Sequence, residues 1–437
     1  MTPKMSRREM IAWLAAATGA ATTGSVLLLD RPRSEPLGGA ANGGRRATTP
    51  ASAPGTAAAP QAVGVDPTAD TSDRLLVVVE LSGGNDGLST AVPYGSGAYY
   101  DLRDHTAIAE ADVLDLDGSI GLHPNLVGLH ERGVGIVEGI GSMQPDGSHF
   151  EMQQRWWAGD SDLADTTTGW IGRLADTLRP GGDTTTAATA LSVARGAHPI
   201  IRSATGSTIS MPGTDALGAV AGAIEDDDRM RWVYQRALRQ FAAGATPVST
   251  AMSDGIAFAD QMVALGLDDE SATELGYDEW GFGASLQFAA AVFDGGVGVR
   301  VVHVETEGDY DTHEGHAYRH PELMRELDTN ISAFHRDLER RGLGDRVMVM
   351  TTSEFGRTAL ENASGGLDHG TASTMLLSGP GASGRLGEAP SLTRRDDNDD
   401  LVATAPFEAY LGGVVEGWMG VPSSEIFDPS IAPMPLF

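Results

Sequence analysis

Leu75-Leu76-Val77-Val78-Val79-Glu80-Leu81, closed by Ser82-Gly83-Gly84, is the stretch on which the fold turns. A nearly continuous apolar run, rich in valine and ended by glycine, reads as a strand buried on both faces, as strands of a parallel sheet are. Runs of the same kind recur at Gly133–Ile140, Val299–Glu305, Arg346–Thr352 and Thr374–Ser378. Helical patterns occupy Met230–Ala243, Ala257–Leu265, Ser285–Phe293, Pro321–Arg341 and Phe407–Met419. Strands alternating with helices predict an α/β fold over residues 74–437, a three-layer α/β/α sandwich with a mostly parallel sheet. Residues 182–270 are richer in helix and polar loop and read as a partly helical insertion or cap. The sequence shows no internal repeat.

Upstream of this region the chain carries no fold signal. Ser6-Arg7-Arg8-Glu9-Met10-Ile11 is a twin-arginine start, and the run that follows to Leu29 is only mildly apolar, diluted by Thr and Gly. This predicts an export signal over residues 1–30 rather than a strong spanning helix. The twin-arginine translocase would then be a partner during export, and the destination periplasmic, otherwise extracytoplasmic or secreted. Membrane attachment would come only through this segment, were it left uncleaved. Residues 31–73 are Ala, Gly, Pro, Thr and Ser with almost no large apolar side chain. Nothing there offsets the entropy of ordering, so a disordered linker is predicted.

Composition narrows the chemistry. The 437 residues include 60 Asp+Glu against 30 Lys+Arg, a formal charge of −30. That excess opposes nucleic acid and anionic membranes, both of which need a basic footprint. Zero cysteines removes disulfides, thiolate zinc sites, iron–sulfur clusters and cysteine nucleophiles together. Lys4 is the only lysine, which excludes Schiff-base and P-loop chemistry downstream of it.

In an open parallel sheet, ligands bind beyond the carboxyl ends of the strands. The residues just past each apolar run are therefore the ones to inspect. They are Gly84-Asn85-Asp86-Gly87, Asp146-Gly147-Ser148-His149-Phe150, Asp309-Tyr310-Asp311-Thr312-His313, Ser353-Glu354-Phe355-Gly356-Arg357 and Gly366-Leu367-Asp368-His369-Gly370. Imidazole and carboxylate without thiolate suit Zn²⁺ or Mn²⁺. Asp311 and His313, one residue apart, fall on one side of an extended segment. Each element also has a plain structural reading: Asp86 as a turn residue, Asp311-x-His313 as a surface loop, Ser148-His149 as a cap ahead of a helix at Glu151–Trp157. His316 and His320 have i,i+4 spacing, but Pro321 directly after them argues against a helical metal pair. His105, His123, His130, His198, His303 and His335 have no such setting and read as structural or solvent-facing.

Other site types are not spelled out. The sequence contains no H-E-x-x-H and no G-x-S-x-G, and Ser82–Gly87 does not spell G-x-G-x-x-G. Asp396-Asp397-Asn398-Asp399-Asp400 lacks the later glycine and glutamate of a calcium loop, so it reads as a solvated loop.

The succession Leu81–Leu88, Val92-Pro93-Tyr94, Gly121-Leu122-His123-Pro124, Ser148-His149-Phe150, Asp311-Thr312-His313, Ser353–Arg357 and Asp368-His369-Gly370-Thr371 resembles the domain of unknown function 1501 family, in order, from about Leu75 to Met419. The resemblance implies twin-arginine export and an alkaline phosphatase-like and sulfatase-like fold with a metal-dependent hydrolytic site. It implies metal ligands at Asp86, Asp311, His313 and His369. The superfamily's Ser-Asp-His-Gly appears here as Ser353-Glu354-Phe355-Gly356, which keeps an oxygen ligand at Glu354 and loses an imidazole at Phe355. A second ion would then need His149 or Asn85 to complete its shell, so one divalent metal or two remain open. Ser148 is the nearest nucleophile, and Arg357 would either fork a phosphate or pair with a nearby acid. Without cysteine the usual formylglycine precursor is gone, which favours a phosphoesterase over a sulfatase. The leading expectation is an exported metal-dependent hydrolase of small anionic esters. The alternative is a non-catalytic binding or envelope-assembly protein on a degenerate phosphatase-like fold; an exported oxidoreductase finds no cofactor fingerprint.

Overall fold

The valine run at Leu75–Glu80 forms β1, and every one of its six residues is buried. In the computed structural model, which describes residues 71–163, 166–179, 188–194, 196–211, 258, 274–278 and 281–437, β1 lies in the middle of a nine-stranded sheet. The others are β2 (Gly135–Gly141), β3 (Ala190–Val193), β4 (Thr208–Met211), β5 (Val301–Glu305), β6 (Val347–Thr352), β7 (Ser373–Ser378), β8 (Gly384–Gly387) and β9 (Ala405–Pro406). Their order is β8-β2-β7-β6-β1-β5-β3-β4, with β9 added beside β2. The pairs β1–β5, β1–β6, β3–β5, β3–β4, β2–β8 and β2–β9 are parallel, whereas β7 runs antiparallel to both β2 and β6. The sheet is mostly parallel, with β7 as its reversed member.

Alternation along β1 sorts the core into two halves, because successive side chains leave opposite faces of a strand. Leu75, Val77 and Val79 join one apolar cluster and Leu76 and Val78 the other. The first cluster takes in Leu286, Ala289 and Phe293 of α3 (Phe282–Asp294) and Leu323, Leu327 and Phe334 of α4 (His316–Arg340). The second takes in Met152 and Trp156 of α1 (His149–Ala158), Ile171 and Leu174 of α2 (Trp170–Leu178) and Tyr410 and Val414 of α5 (Phe407–Gly417). Helices cover both faces, which makes the three-layer α/β/α sandwich.

Three sequence expectations need revision. α4 begins at His316, five residues before Pro321, so Pro321 lies inside it. One proline removes a single ladder bond, and Gly315 supplies the left-handed turn that starts the helix (φ 62°). Within residues 182–270 the described portion supplies β3 and β4 of the main sheet. The short strands there were not legible as apolar runs, because Ser192, Thr208 and Ser210 interrupt them. Third, the strand at Thr374–Ser378 is antiparallel rather than one more parallel strand. The expected signal at 1–30, the linker up to residue 70, the helix expected at Met230–Ala243 and most of the one at Ala257–Leu265 lie outside the described residues.

Candidate metal centre

Strand direction brings the site together. β1, β2, β5 and β6 end at one rim of the sheet, and the reversed β7 starts there, so His369, four residues ahead of Ser373, arrives at the same rim as residues that follow the other strands. Gly83 and Gly84, at the end of β1, hold φ of 112° and 86°. A side chain at Gly83 would meet the backbone of Tyr310 and Asp311, and one at Gly84 would overlap the Phe355 ring. The glycine pair thus lets the loops after β1, β5 and β6 close on one another.

His149, Asp311, His313 and His369 meet at this rim. Asp311 Oδ1 lies 3.1 Å from His313 Nε2 and 3.2 Å from His369 Nε2, and Asp311 Oδ2 lies 3.6 Å from His149 Nε2. The other ring nitrogen of each histidine faces an oxygen: His149 Nδ1 meets Glu354 Oε1 at 3.0 Å, His313 Nδ1 meets Asp368 Oδ1 at 2.9 Å, and His369 Nδ1 meets the Gly147 carbonyl at 2.7 Å. Carboxylates and carbonyls only accept, so each Nδ1 carries the proton, and in a neutral ring Nε2 is left as a bare lone pair. His313 Nε2 and His369 Nε2 nevertheless face each other at 2.8 Å. Lone pairs converging beside a carboxylate repel one another unless a cation lies among them. Oxygen partners on the outer nitrogens are also what orient histidines that bind metal. The donor set, imidazole nitrogen and carboxylate oxygen, fits zinc. His149, Asp311 and His369 lie close enough for their donor atoms to share one ion.

The electrostatics differ from group to group. The hydrogen bond to Glu354 raises the His149 pKa above its ordinary value against the opposing effect of burial. Burial works to raise the Asp311 pKa, but the hydrogen bond and charge of Arg357 outweigh it and keep the carboxyl below its usual value. Burial lowers the His369 pKa.

Two expected site residues are held by internal bonds. Asp86 does not join the cluster. It forms a buried two-pronged ion pair with Arg103 (Oδ2–Nη1 2.5 Å, Oδ1–Nη2 2.9 Å) and accepts from the Ser89 N–H at the head of a short helix. Burial opposes its ionisation, yet the guanidinium holds its carboxyl well below the usual carboxylate range. Arg357 is fully buried and offers no fork to solvent: it donates to the carbonyls of Gly83, Gly84, Tyr310 and Leu367 and to Asp311 Oδ1 at 2.6 Å. It pairs with an acid, and it orients that acid.

Glu354 stands one step back from the cluster, holding His149. Asn85 is committed to Thr90 and His320, so neither it nor His149 completes a second shell with Glu354 and Asp86. Ser148 is the residue before α1 and makes no capping bond to it. It flanks His149 at the amino end of a ten-residue helix, where the helix dipole attracts anions.

Three contributors have no role in the sequence reading. Gln153, four residues after His149 and so on the same helix face, donates to Glu354 Oε1 at 3.2 Å; that spacing was a usable signal. Asp368, next to His369, holds His313. The Gly147 carbonyl carries no signal in sequence at all. A second group, Glu80, His198 and His303, is buried beneath the sheet rim. There His303 Nε2 meets Glu80 Oε2 at 2.9 Å, while His198 Nδ1 accepts from the Ile200 N–H, which puts the neutral ring's proton on Nε2, 3.2 Å from Glu305 Oε1. Lone pairs do not converge in this group. Burial pushes the Glu80 carboxyl up to about 7 and the His303 imidazole down to about 4. His316 and His320 stack on each other and bond to Thr312, Ser89 and Asn85, so this pair too is structural.

A family model described as "Protein of unknown function (DUF1501)" matches residues 149–405, more than half of the chain, and the chain belongs to that family. Comparison with curated proteins finds no match. Among solved structures, the chain is similar to the lipoteichoic acid synthase LtaP from Listeria monocytogenes (10% identity, TM-score 0.38, 81% of this chain and 74% of that one). It is similar to the PsFucS1 sulfatase from Pseudoalteromonas sp. (13%, TM-score 0.36, 81% and 70%). It is also similar to the C-terminal periplasmic domain of EcEptC from Escherichia coli (9%, TM-score 0.34, 84% and 87%).

Proposed function

We propose that this DUF1501 protein is an exported metal-dependent hydrolase of phosphate esters, with sulfate esters the poorer fit, and that His149, Asp311, His313 and His369 hold a single zinc ion. One observation carries the reading: three imidazoles whose outer nitrogens are pinned to oxygen atoms turn their Nε2 atoms toward one aspartate. Three imidazoles favour zinc over manganese, which prefers oxygen shells. Bound there, the metal supplies a Lewis acid that polarises an ester oxygen and lowers the pKa of a neighbouring hydroxyl or water.

The chain's own residues divide the rest of the work. Arg357 holds Asp311 in place, Asp368 and Glu354 hold two of the imidazoles, and Ser148 is the candidate nucleophile beside His149. The amino end of α1 favours an anionic ester at this position. Export through the twin-arginine translocase to an extracytoplasmic location follows from the reading of residues 1–30 and belongs to the same proposal.

A second reading, a non-catalytic binding or envelope-assembly protein, draws on Asp86 and Arg357. Both are consumed by internal bonds and neither is free for substrate. Metal analysis of the purified protein, with Asp311→Ala and His369→Ala, tests the first reading. It requires about one zinc per chain, lost in both variants, and hydrolysis of an aryl phosphate that disappears in Ser148→Ala. Stoichiometric zinc without hydrolysis of aryl phosphate or aryl sulfate favours the second, and the absence of zinc from folded protein refutes the metal centre.

A further inference from the structure

Beneath the cluster, between the ends of β1 and β6, lies a small cavity lined by Glu354, Glu80, Trp156, Trp157, Trp170 and Ile200, among others. Its space for the centre of a water molecule is about 10 Å³, room for about one water. Glu354, 3% exposed, presents two different oxygens here. Oε1 accepts three N–H groups, from Gly83 (2.8 Å), His149 Nδ1 (3.0 Å) and Gln153 (3.2 Å). Oε2 is buried with no hydrogen-bond partner in the protein, and so are the ring N–H groups of Trp156 and Trp170. Of the ten such atoms among the described residues, three thus belong to residues that line this one cavity.

We propose that the cavity holds one ordered water rather than a second ion, and that Glu354, anchored on that water, is the positioning residue of His149; this rests on the metal reading above. The wall has a mixed demand, spare N–H donors together with a spare carboxylate oxygen. Water meets both, since it accepts two hydrogen bonds and donates two. A cation would meet the spare Glu354 oxygen, the Glu80 oxygens being engaged by Trp157 and His303, and would be repelled by the indole N–H groups. The neighbouring residue offers no ligand either, because the Phe355 ring packs against the rings of His149 (4.9 Å) and His369 (4.5 Å). With its second oxygen satisfied, Glu354 stays fixed and keeps the proton of His149 on Nδ1 and the lone pair of Nε2 facing Asp311. The site therefore binds one metal ion.

Zinc titration into the metal-free full chain, followed by diffraction at the zinc edge from the loaded protein, tests this. One zinc per chain is expected, with a cavity peak lacking anomalous signal within hydrogen-bond reach of Glu354 Oε2. Glu354→Met should weaken zinc binding about 10–100-fold, the size expected for the loss of a residue that orients a ligand. It should also mix the His149 tautomers seen by ¹⁵N NMR. Glu354→Gln, whose amide oxygen can still accept, should regain most of both. Two zinc ions per chain, an anomalous peak in the cavity, an empty cavity, or equal losses in Met and Gln variants would overturn the inference. If no zinc binds at all, the hydrolase reading fails, and the cavity density and the His149 tautomer still decide the water and the role of Glu354 on their own.

Discussion

Arg103→Met would leave the Asp86 carboxylate buried without its partner. Both side chains are essentially inaccessible to water, and Asp86 accepts two guanidinium bonds at 2.5 and 2.9 Å. Breaking a buried pair from one side costs about 3–5 kcal/mol, because an uncompensated charge stays behind. That is a large share of the ~5–15 kcal/mol that holds a typical fold. The double variant Asp86→Asn/Arg103→Met should be more stable than Arg103→Met alone, since no charge remains and asparagine can still cap the Ser89 N–H. The sign of the pH dependence follows from the depressed carboxyl in the native fold. The stabilisation by the pair is present above the unfolded aspartate value, and it is lost only as pH falls through the lower folded value. In Arg103→Met, burial is no longer outweighed by the guanidinium and pushes the Asp86 pKa upward, so protonation relieves the penalty on acidification. The gap between wild type and variant should therefore be widest near neutrality and narrow toward pH 4. Urea unfolding followed by circular dichroism at several pH values measures it. A loss below about 1 kcal/mol, a gap independent of pH, or a double variant no better than the single would refute the reasoning.

Three further outcomes are expected. Gly84→Ala forces a side chain into the Phe355 ring at φ 86°, so it should cost about 1–3 kcal/mol in strain and lower zinc affinity, checked by thermal unfolding and zinc titration. Leu76→Ala, at a fully buried position of β1 facing the α1–α2–α5 layer, should cost about 2–5 kcal/mol by urea unfolding without altering the zinc stoichiometry. Ser148→Ala should leave zinc affinity intact, because its hydroxyl is outside the donor set, and abolish aryl phosphate hydrolysis; retained turnover would assign the nucleophile elsewhere.

The layers of the fold were legible because burial on both faces forces β1, β5 and β6 to be almost wholly apolar, and such runs have few other readings. The short strands β3, β4 and β8 were not, since serine, threonine, glycine and arginine break their patterns, and β9 is only two residues long. For the site, the rule that ligands gather beyond strand ends found Asp311, His313, His369 and His149, which do meet. It also picked Asp86 and Arg357, and nothing local to either residue reveals its fate. Asp86 is claimed by Arg103, 17 residues later, in a stretch without a motif. Arg357 is spent on carbonyls of three separate loops, and backbone acceptors leave no trace in the identity of the residues that carry them. Glu354 lies at the expected rim, where its side chain bonds His149. Its contact with His149 depends on how α1 is set against the end of β6, which is a tertiary fact.

X-ray absorption at the zinc edge of the zinc-loaded protein addresses the converging lone pairs most directly. Histidine nitrogens in the first shell at ~2.0–2.1 Å are expected, with a carboxylate oxygen beside them, and the imidazole signal should diminish in His313→Ala and in His369→Ala. A shell made of oxygen alone, or a spectrum unchanged in those variants, would mean that the ion is held elsewhere and that the histidines do not form a metal centre.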